Sequence, residues 1–419
     1  METEKILTEL NEWWYTGSIS DTLAKPYRRK VFDHILKLFR SYRQIILLTG
    51  LRRVGKTTII FQLISEILKS SDKRSILYYT FDAGVKDLVS ILDEYTRLTG
   101  ISWKKERVHL FLDEVQKLPN WSNQVKLLYD SFPKIKIVLS GSASLKLQKD
   151  AFDNLVGRHF AIEIHPLSIV EFHELRQGER IDRIELFKSK LKDEFEDYLL
   201  RQFPEVVTWQ SEIEVRQYIR EQVTARIIRG DIPDTFSGVN FRLLEGLVNL
   251  FYSKPGMIIN VDQLSKDFRV SKTTLENHLF YLEFSLLIRT VKNYRPSLMS
   301  ESRKMKKVYP YNVALALSLY KVDRSYVYET LVAGMVDAHH YWREGNKEID
   351  FVLKEPLRAI EVKSSERVEP YELISIEYFV DRLDAEGFVV YLGQTRSLNK
   401  IILYSILDFA IDYSELASA

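Results

Sequence analysis

A chain of 419 residues with 45% hydrophobic and 28% charged side chains is long enough for roughly two to four packed domains, and its composition excludes a disordered protein. The formal net charge of +2 gives no global field that would attract nucleic acid, and the lack of cysteine excludes disulfides, thiolate metal sites and cysteine nucleophiles. Because no apolar run is long enough to cross a membrane and the N-terminus has no signal-peptide pattern, we expect a cytoplasmic protein without membrane contact.

The first forty residues have a helical pattern and include an aromatic cluster at Trp13 and Trp14. From residue 41 to 167, short apolar runs rich in β-branched residues alternate with segments of helical periodicity. This alternation predicts βαβ units and a parallel sheet, so we assign residues 41–167 to an α/β core. The predicted strands are Gln44–Thr49, Ser75–Phe81, Val108–Leu112, Lys136–Ser140 and Arg158–Ile164.

Three further segments follow the core. Residues 168–238 are helical and charged, with no convincing strand, which indicates a helical lid. Residues 239–310 contain three helical patterns and then two strand patterns around a basic loop, which is the layout of a winged helix. Residues 311–419 alternate strand and helix again and indicate a last α/β domain.

A glycine-rich loop follows the first predicted strand. Phosphate binding needs converging backbone N–H groups followed by a helix N-terminus, and Gly50-x-x-x-x-Gly55-Lys56-Thr57 provides both. Lys56 would reach the β- and γ-phosphates of ATP, and Thr57 would bind Mg²⁺. A structural glycine turn is the alternative, but a strand before the loop and a helix after it favour a nucleotide site. The other residues expected around ATP or ADP are Arg52, Arg53, Val54 and Thr58.

Acidic residues end the third predicted strand. Asp113 would hold the magnesium ion, and Glu114 would orient and deprotonate the attacking water. An exposed strand end that carries two acids is the alternative, and the complete glycine loop favours the catalytic interpretation. At the end of the fourth strand, the hydroxyl of Ser140 or Ser142 would sense the γ-phosphate, although a capping role for these serines is nearly as well supported.

Arg158 precedes the fifth predicted strand. In an oligomer it would reach the γ-phosphate of a neighbouring subunit as an arginine finger. A surface arginine in a salt bridge is the alternative, and the sequence does not decide between the two.

Four stretches resemble a known family of archaeal and bacterial AAA+-type ATPases. The stretches are Gly50–Thr58, Leu112–Gln116, Ser140–Ser142 and Leu155–Arg158, and an Asn-x-Trp-Trp opening that contains Asn11 is similar to that of an archaeal branch. The resemblance covers nearly the whole chain. It implies an AAA+ core with a helical lid, a winged helix and a C-terminal domain similar to PD-(D/E)XK nucleases. Members of the family have been connected with branched DNA. We expect this chain to act on branched, Holliday-junction-type DNA and to assemble into a homo-oligomeric ring.

The sequence departs from the family at Tyr311-Asn312, where an aspartate is common. In the C-terminal segment, Glu329, Asp350, Glu361 and Lys363 are similar to the nuclease motif. Asp350 and Glu361 would share a second Mg²⁺ or Mn²⁺, Glu329 would complete the site, and Lys363 would activate water or stabilise the pentavalent phosphate. Lys363 lies two residues after Glu361 and therefore on the same strand face. A surface ion pair is the alternative, and whether such a domain cuts DNA is left open.

The predicted winged helix supplies the candidate DNA contacts. Polar residues at the start of its third helix and cations in its wing would contact phosphates. A solvated loop beside a packing module is the alternative. The candidates are Lys272, Thr273, Lys292, Arg295 and Lys306, with Arg303, Lys304 and Lys307 in the same basic region.

Three functions are consistent with this sequence. The first is an ATPase that remodels branched or duplex DNA, the second is a metal-dependent nuclease regulated by ATP, and the third is a signalling NTPase that switches without acting as a motor. All three use the same glycine loop, so the sequence separates them poorly.

Overall fold

The computed structural model describes residues 2–84, 87–141, 154–295 and 306–416. The described residues form two compact units, one before and one after the His165–Pro166 bond. Within the described ranges, no helix combines the length and the apolar character that a membrane crossing requires.

The first unit is a sheet covered by helices. Its helices are α1 (Glu2–Leu10), α2 (Trp13–Thr16), α3 (Val31–Ser41), α4 (Lys56–Leu68), α5 (Leu88–Thr99) and α6 (Trp121–Ser131). Its strands are β1 (Ile45–Thr49), β2 (Ile76–Thr80), β3 (Val108–Asp113), β4 (Ile135–Ser140) and β5 (His159–Glu163). Short 3₁₀ turns occupy Lys73–Ser75, Phe81–Ala83 and Val115–Lys117.

The five strands form one parallel sheet in the order β2-β3-β4-β1-β5. This confirms the predicted α/β fold with a parallel sheet, and each predicted strand is present within two residues of its predicted ends. β1, β3 and β4 are buried along their whole length, as expected for strands covered on both faces. Because all strands run the same way, the loops that follow β1, β3 and β4 meet at one edge of the sheet.

The N-terminal forty residues are less helical than their pattern predicts. Residues 17–30, between α2 and α3, contain turns but no helix. Gly17 ends α2 in the left-handed conformation, with φ of 76°, and its N–H bonds to the Trp13 carbonyl. Pro26, further along this segment, lacks the N–H that a continuous helix needs.

The described helices of the second unit are spread along its length. They are α7 (Ile169–Gln177), α8 (Ile184–Leu200), α9 (Glu212–Tyr218), α10 (Ile232–Thr235), α11 (Phe241–Ser253), α12 (Val261–Asp267), α13 (Lys272–Phe284), α14 (Val313–Leu319), α15 (Arg324–Met335), α16 (Pro370–Leu383) and α17 (Ile406–Leu416). A 3₁₀ turn at Pro204–Val206 and π-helical turns at Ile219–Ala225 and Ile227–Asp231 join some of them.

The strands of the second unit form one nine-stranded mixed sheet in the order β13-β14-β12-β11-β10-β9-β7-β8-β6. Their bounds are β6 (Met257–Ile259), β7 (Ile288–Asn293), β8 (Lys306–Pro310), β9 (His340–Glu344), β10 (Lys347–Lys354), β11 (Leu357–Val362), β12 (Glu386–Tyr391), β13 (Arg396–Leu398) and β14 (Ile401–Ser405).

This sheet is continuous across residue 310, where the sequence pattern divides two domains. β7 pairs in parallel with β9, with Lys292 opposite His340. Neighbouring residues of one strand enter different cores, since Phe351 packs in one apolar cluster and Val352 in another. The sheet is therefore covered on both faces in this region.

The segment from residue 239 to 310 contains the three helices and two strands expected from its pattern. It also contains β6, a three-residue strand that the pattern does not indicate, paired with β8. Assigning this segment to a winged helix stays a prediction, as does the lid role of the helices between residues 168 and 238.

Candidate nucleotide site and C-terminal carboxylate cluster

The loop between β1 and α4 requires glycine at two positions. Gly50 has a φ of 132°, and a Cβ atom there would lie 2.3 Å from the carbonyl oxygen of Ile164. Gly55 has a φ of 97° and directly precedes α4. Both conformations strain other residue types, so the backbone can turn tightly from the strand into the helix only with these glycines.

The centre of the loop is held from outside. Val54 is buried, and its carbonyl accepts a 3.1 Å hydrogen bond from Arg29, which also donates to the His165 carbonyl at 3.0 Å. Arg52 and Thr58 are half-buried, whereas Arg53 is exposed and has a positive φ of 68°. Arg29 therefore supports the loop, a role that was not predicted from the sequence.

Lys56 is the first residue of α4 and is buried, with 7% of its surface exposed. Its ammonium donates to the Gly50 carbonyl at 2.9 Å and to the Leu51 carbonyl at 3.0 Å. The loop therefore folds around this cation, at the positive end of a helix dipole, where an anion is favoured.

Asp113 is the point at which the predicted site residues converge. Thr57 Oγ1 donates to Asp113 Oδ2 at 2.7 Å, and Ser140 Oγ donates to Asp113 Oδ1. The hydroxyl of Tyr78, on β2, donates to Oδ2 at 3.2 Å, and the backbone N–H of Glu114 donates to Oδ1 at 3.0 Å. A single buried carboxylate is thus surrounded by three hydroxyl groups, of which Tyr78 was not predicted.

Glu114 follows β3 in a left-handed conformation with a φ of 52°. Its carboxylate accepts a 2.5 Å hydrogen bond from Gln116 Nε2. Burial, followed by the charge of Asp113, raises the pKa of Glu114, which Lys56 partly opposes. A carboxylate with a raised pKa is a stronger base than a free one, so its environment suits proton abstraction.

Arg158 lies at the opposite edge of the sheet. Its carbonyl accepts a hydrogen bond from the N–H of Ile45, at the start of β1, about 15 Å of strand away from the glycine loop. Its guanidinium makes a two-pronged ion pair with Asp130 of α6, at 2.8 and 3.1 Å. Arg158 therefore cannot serve the site of its own chain. The alternative serine, Ser142, lies outside the described residues.

In the second unit, the predicted nuclease residues come from three elements. Phe351 pairs with Ile360, and this register sets Asp350 opposite Glu361. Asp350 Oδ2 accepts the N–H of Val362 at 2.9 Å, and Lys363 Nζ donates to Glu361 Oε1 at 2.9 Å. Asp350 and Glu361 are thus neighbours on one face of the sheet.

Glu329 enters this C-terminal carboxylate cluster from α15, where its carboxylate accepts a 3.1 Å hydrogen bond from the Tyr309 hydroxyl. Burial, followed by the charge of Asp350, raises the pKa of Glu329 to about 8. The same two causes raise the pKa of Glu361 to about 8. Three acidic groups therefore share a poorly hydrated space.

Lys307 is the residue of this cluster that sequence reasoning misplaced. It was grouped with the exposed wing cations, but only 6% of its side chain is exposed. Its ammonium lies 2.5 Å from Glu348 and 3.6 Å from Asp350. These charges raise the pKa of Lys307 despite the opposing effect of burial. The alternation along β8 points this side chain inward, and only the tertiary structure shows its partners.

The predicted DNA contacts differ in accessibility. Thr273 and Lys292 are exposed, whereas Lys306 and Arg295 are half-buried. Lys272 pairs with Asp262, and Arg295 donates to the Arg343 carbonyl at 2.7 Å. Arg303 and Lys304 lie outside the described residues. The described members of this set therefore do not form one free cationic surface.

Comparisons with known proteins agree with the first unit. Residues 42–173 match the family model of the AAA domain. Residues 192–326 and 321–407 match two domains of unknown function, DUF8612 and DUF4143. Two uncharacterized proteins of Methanocaldococcus jannaschii are similar over most of their length. One is 27% identical over 80% of this chain and 78% of its own length, and the other is 24% identical over 93% and 94%.

Solved structures are similar only in part. PCH-2 of C. elegans is 17% identical, with a TM-score of 0.26 over 65% of this chain and 70% of its own. A signal transduction ATPase with numerous domains from Pyrococcus horikoshii is 13% identical, with a TM-score of 0.28 over 74% and 46%. These scores are too low to indicate a shared overall arrangement. The parallel five-stranded sheet, the glycine loop and the family match together make residues 42–173 an α/β P-loop domain of the AAA type.

Proposed function

We propose that the first unit binds ATP with Mg²⁺ and hydrolyses it. The observation that carries this proposal is the convergence of Thr57, Ser140 and the Asp113 carboxylate beside a glycine loop that surrounds Lys56. Hydroxyl and carboxylate oxygens are the ligands that Mg²⁺ prefers. When bound, the ion would neutralise charge on the phosphate oxygens.

Each residue of the candidate nucleotide site would have its own role in binding or hydrolysis. Thr57 and Asp113 would hold the magnesium ion, and the ammonium of Lys56 would bind the β- and γ-phosphates in place of two backbone carbonyls. Glu114 would orient a water molecule and accept its proton. Ser140 would report on the γ-phosphate through Asp113, with which it shares a hydrogen bond.

An ATPase assay of the full chain tests this proposal. Glu114→Gln should bind nucleotide with unchanged affinity and lose at least about 100-fold in kcat, because the amide cannot accept a proton. Lys56→Ala should lose nucleotide binding as well. Equal turnover in wild type and Glu114→Gln would contradict the assignment of the base. Slow turnover with ADP retained by the wild type would instead favour the signalling switch.

We extend the proposal to a nucleic-acid partner, which hydrolysis would remodel. A cavity of about 580 Å³ at the amino ends of β1, β3 and β4 supports this part. Its ten lining residues include five cations and no acid; the cations are Arg40, Arg43, Arg107, Lys134 and Lys136. Tyr42, also in the lining, is 49% exposed. Local positive charge beside an exposed aromatic ring suits a phosphate backbone with bases.

The cations of this pocket are not equally available. Lys136 donates to the carbonyls of Tyr42 and Gln44 at 2.6 Å, so its charge faces inward. The guanidinium of Arg107 makes no ion pair or hydrogen bond within the described part of the chain, and the residue is exposed. Arg107 is therefore the residue of the pocket best suited to contact a phosphate.

Fluorescence anisotropy with duplex DNA and a four-way junction tests the nucleic-acid proposal. Arg107→Glu should weaken binding about 10-fold and lower its salt dependence, because one phosphate contact is replaced by repulsion. Lys292→Glu is the matched charge reversal in the predicted wing. A loss confined to Lys292→Glu would move the contact to the wing, and no binding of either DNA by the wild type would remove nucleic acid from the proposal.

A second candidate function concerns the C-terminal carboxylate cluster. Glu361 Oε2 is buried without a hydrogen-bond partner, and an orphaned carboxylate oxygen is what a cation would satisfy. Among the described residues, however, no three acidic or histidine side chains are arranged to hold a metal ion. A second Mg²⁺ or Mn²⁺ would therefore rest on Asp350 and Glu361, with Lys363 beside them to bind phosphate.

Calorimetric titration with Mn²⁺ tests this second candidate. Wild type should bind one ion that Lys56→Ala still binds and Asp350→Asn does not. Metal-dependent cleavage of DNA that is lost in Lys363→Ala would then establish a nuclease. Absence of Mn²⁺ heat in the wild type beyond that of the nucleotide site would show that the cluster is an internal ion-pair network.

A further inference from the structure

The β2 edge of the five-stranded sheet is covered by side chains and not by another strand. β2 lies at that edge, where unpaired backbone groups would otherwise face solvent or another chain. Asn11 Nδ2 donates to the Tyr78 carbonyl at 2.9 Å, and the Tyr78 N–H donates to Asn11 Oδ1 at 2.7 Å. One buried amide thus makes both hydrogen bonds that a neighbouring strand residue would make.

Two tryptophans extend this contact. The Nε1 atoms of Trp13 and Trp14 donate to the Ile76 carbonyl at 3.2 and 2.7 Å. Ile76 and Tyr78 are two residues apart, so their backbone groups point out of the same edge of the sheet. Asn11 also donates to the Leu7 carbonyl at 2.8 Å, which fixes its amide at the end of α1. The N-terminal segment therefore holds β2 at two successive outward positions.

The side chain of Tyr78 connects this edge to the nucleotide site. Its ring lies against Phe61 of α4, with centroids 4.8 Å apart, and its hydroxyl reaches Asp113 Oδ2 at 3.2 Å. A phenol carries its proton at neutral pH, so the Tyr78 hydroxyl acts as a donor to the carboxylate.

We infer that Tyr78 is a positioning residue, whose hydroxyl orients the Asp113 carboxylate for magnesium while the Asn11–Trp14 segment holds Tyr78 in place. This inference rests on the MgATP function proposed above. Loss of a partner that orients a ligating carboxylate typically costs about 10–100-fold in metal affinity. The N-terminal segment thereby acts on the metal site through a single strand, without contacting Asp113.

The test measures how much Mg²⁺ the full chain needs to bind a fluorescent ATP analogue. Tyr78→Phe should raise the Mg²⁺ concentration for half-maximal binding about 10-fold, with binding in EDTA unchanged. Tyr79→Phe is the matched control, because this neighbour is equally buried and its hydroxyl donates to the Gly84 carbonyl at 3.0 Å. The control should need as much Mg²⁺ as the wild type.

Failure of the inference and failure of the proposed function give different results. If the wild type binds no nucleotide in Mg²⁺, the proposed function is wrong. If the wild type binds and Tyr78→Phe needs no more Mg²⁺ than Tyr79→Phe, the inference is wrong. Asn11→Ala should show the same shift as Tyr78→Phe; an unchanged requirement would overturn the role of the N-terminal segment. If Asn11→Ala does not fold, Asn11→Asp replaces it in the same measurement, because the aspartate keeps the acceptor for the Tyr78 N–H. The same shift would support the role of the N-terminal segment, and an unchanged Mg²⁺ requirement would overturn it.

Discussion

The Thr57 hydroxyl donates a 2.7 Å hydrogen bond to the Asp113 carboxylate, although the two residues lie 56 positions apart in the chain. The glycine loop therefore reaches across to β3, past β4, which lies between β1 and β3 in the sheet. The Thr57 hydroxyl oxygen and the Asp113 carboxylate oxygen therefore lie together at the carboxyl ends of the strands. This relationship unites the two halves of the candidate nucleotide site.

The close approach at Gly50 predicts a large cost for any side chain there. Gly50→Ala should destabilise the protein by at least about 2 kcal/mol more than Gly84→Ala, because its Cβ would overlap the Ile164 carbonyl. Gly84 has nearly the same φ, 129° against 132°, but apart from its chain neighbours no atom of the described residues lies within 4 Å of its Cβ position. Chemical denaturation measures the difference. Equal costs would show that backbone strain alone matters at Gly50.

The position of Arg158 predicts that it contacts the nucleotide of a neighbouring subunit and not that of its own chain. As the loss of an arginine finger, Arg158→Ala should lower the ATPase rate by on the order of 1,000-fold or more, and the variant should not hydrolyse faster when concentrated. A one-to-one mixture with inactive Glu114→Gln should recover activity, since about a quarter of the interfaces in a ring would combine an intact base with an intact arginine.

The mixing experiment has a clear negative outcome. If both variants bind nucleotide and their mixture stays inactive, Arg158 is not an arginine finger. Its ion pair with the exposed Asp130 would then be its main interaction. Asp130→Asn, which frees Arg158 without removing it, should leave the ATPase rate at least as high as that of the wild type.

Replacing Lys307 tests whether this cation stabilises the C-terminal carboxylate cluster. Lys307→Met should destabilise the protein by about 3–5 kcal/mol, because it leaves Glu348 and Asp350 without their buried cation. Lys306→Met, one residue earlier on the same strand and half-buried, should cost much less. Thermal unfolding of the two variants compares them. Similar melting temperatures would mean that the carboxylates are compensated in another way.

Because His109 is buried, we expect the free energy of unfolding of the first unit to fall in acid. Burial, followed by the charges of Arg107 and Lys136, lowers the pKa of His109 from 6.5 to about 4. Between these values the unfolded chain binds a proton that the folded chain does not, so stability should fall as the pH drops from 6.5 to 4. The loss attributable to this group should be on the order of 1–3 kcal/mol.

Unfolding at several pH values checks this assignment. His109→Phe should lose less stability than the wild type on acidification, since the aromatic replacement can still pack beside Phe39, 5.7 Å away, but cannot bind a proton. The exposed His34→Phe variant is the control and should follow the wild type. Parallel curves for all three proteins would exclude His109 as the sensitive group.

The sequence by itself determined the local parts of this protein. The glycine loop is contiguous, and its conformation follows from residues that tolerate positive φ and from the helix that begins at Lys56. The five strands of the first unit were predictable because buried parallel strands are continuous apolar runs. The strand at His340–Glu344 was not predicted, since its residues are aromatic and charged and show no such run.

Only the tertiary structure decided which distant residues meet. Tyr78 touches Asp113 from 35 residues away, and Asn11 bonds to the Tyr78 backbone from 67 residues away. The sequence placed Lys307 among the cations of the predicted wing, whereas in the folded chain its ammonium lies near Asp350. The physical reason is that strand order and register are set by the packing of the whole sheet, whereas periodicity reports only which face of its own segment a residue occupies.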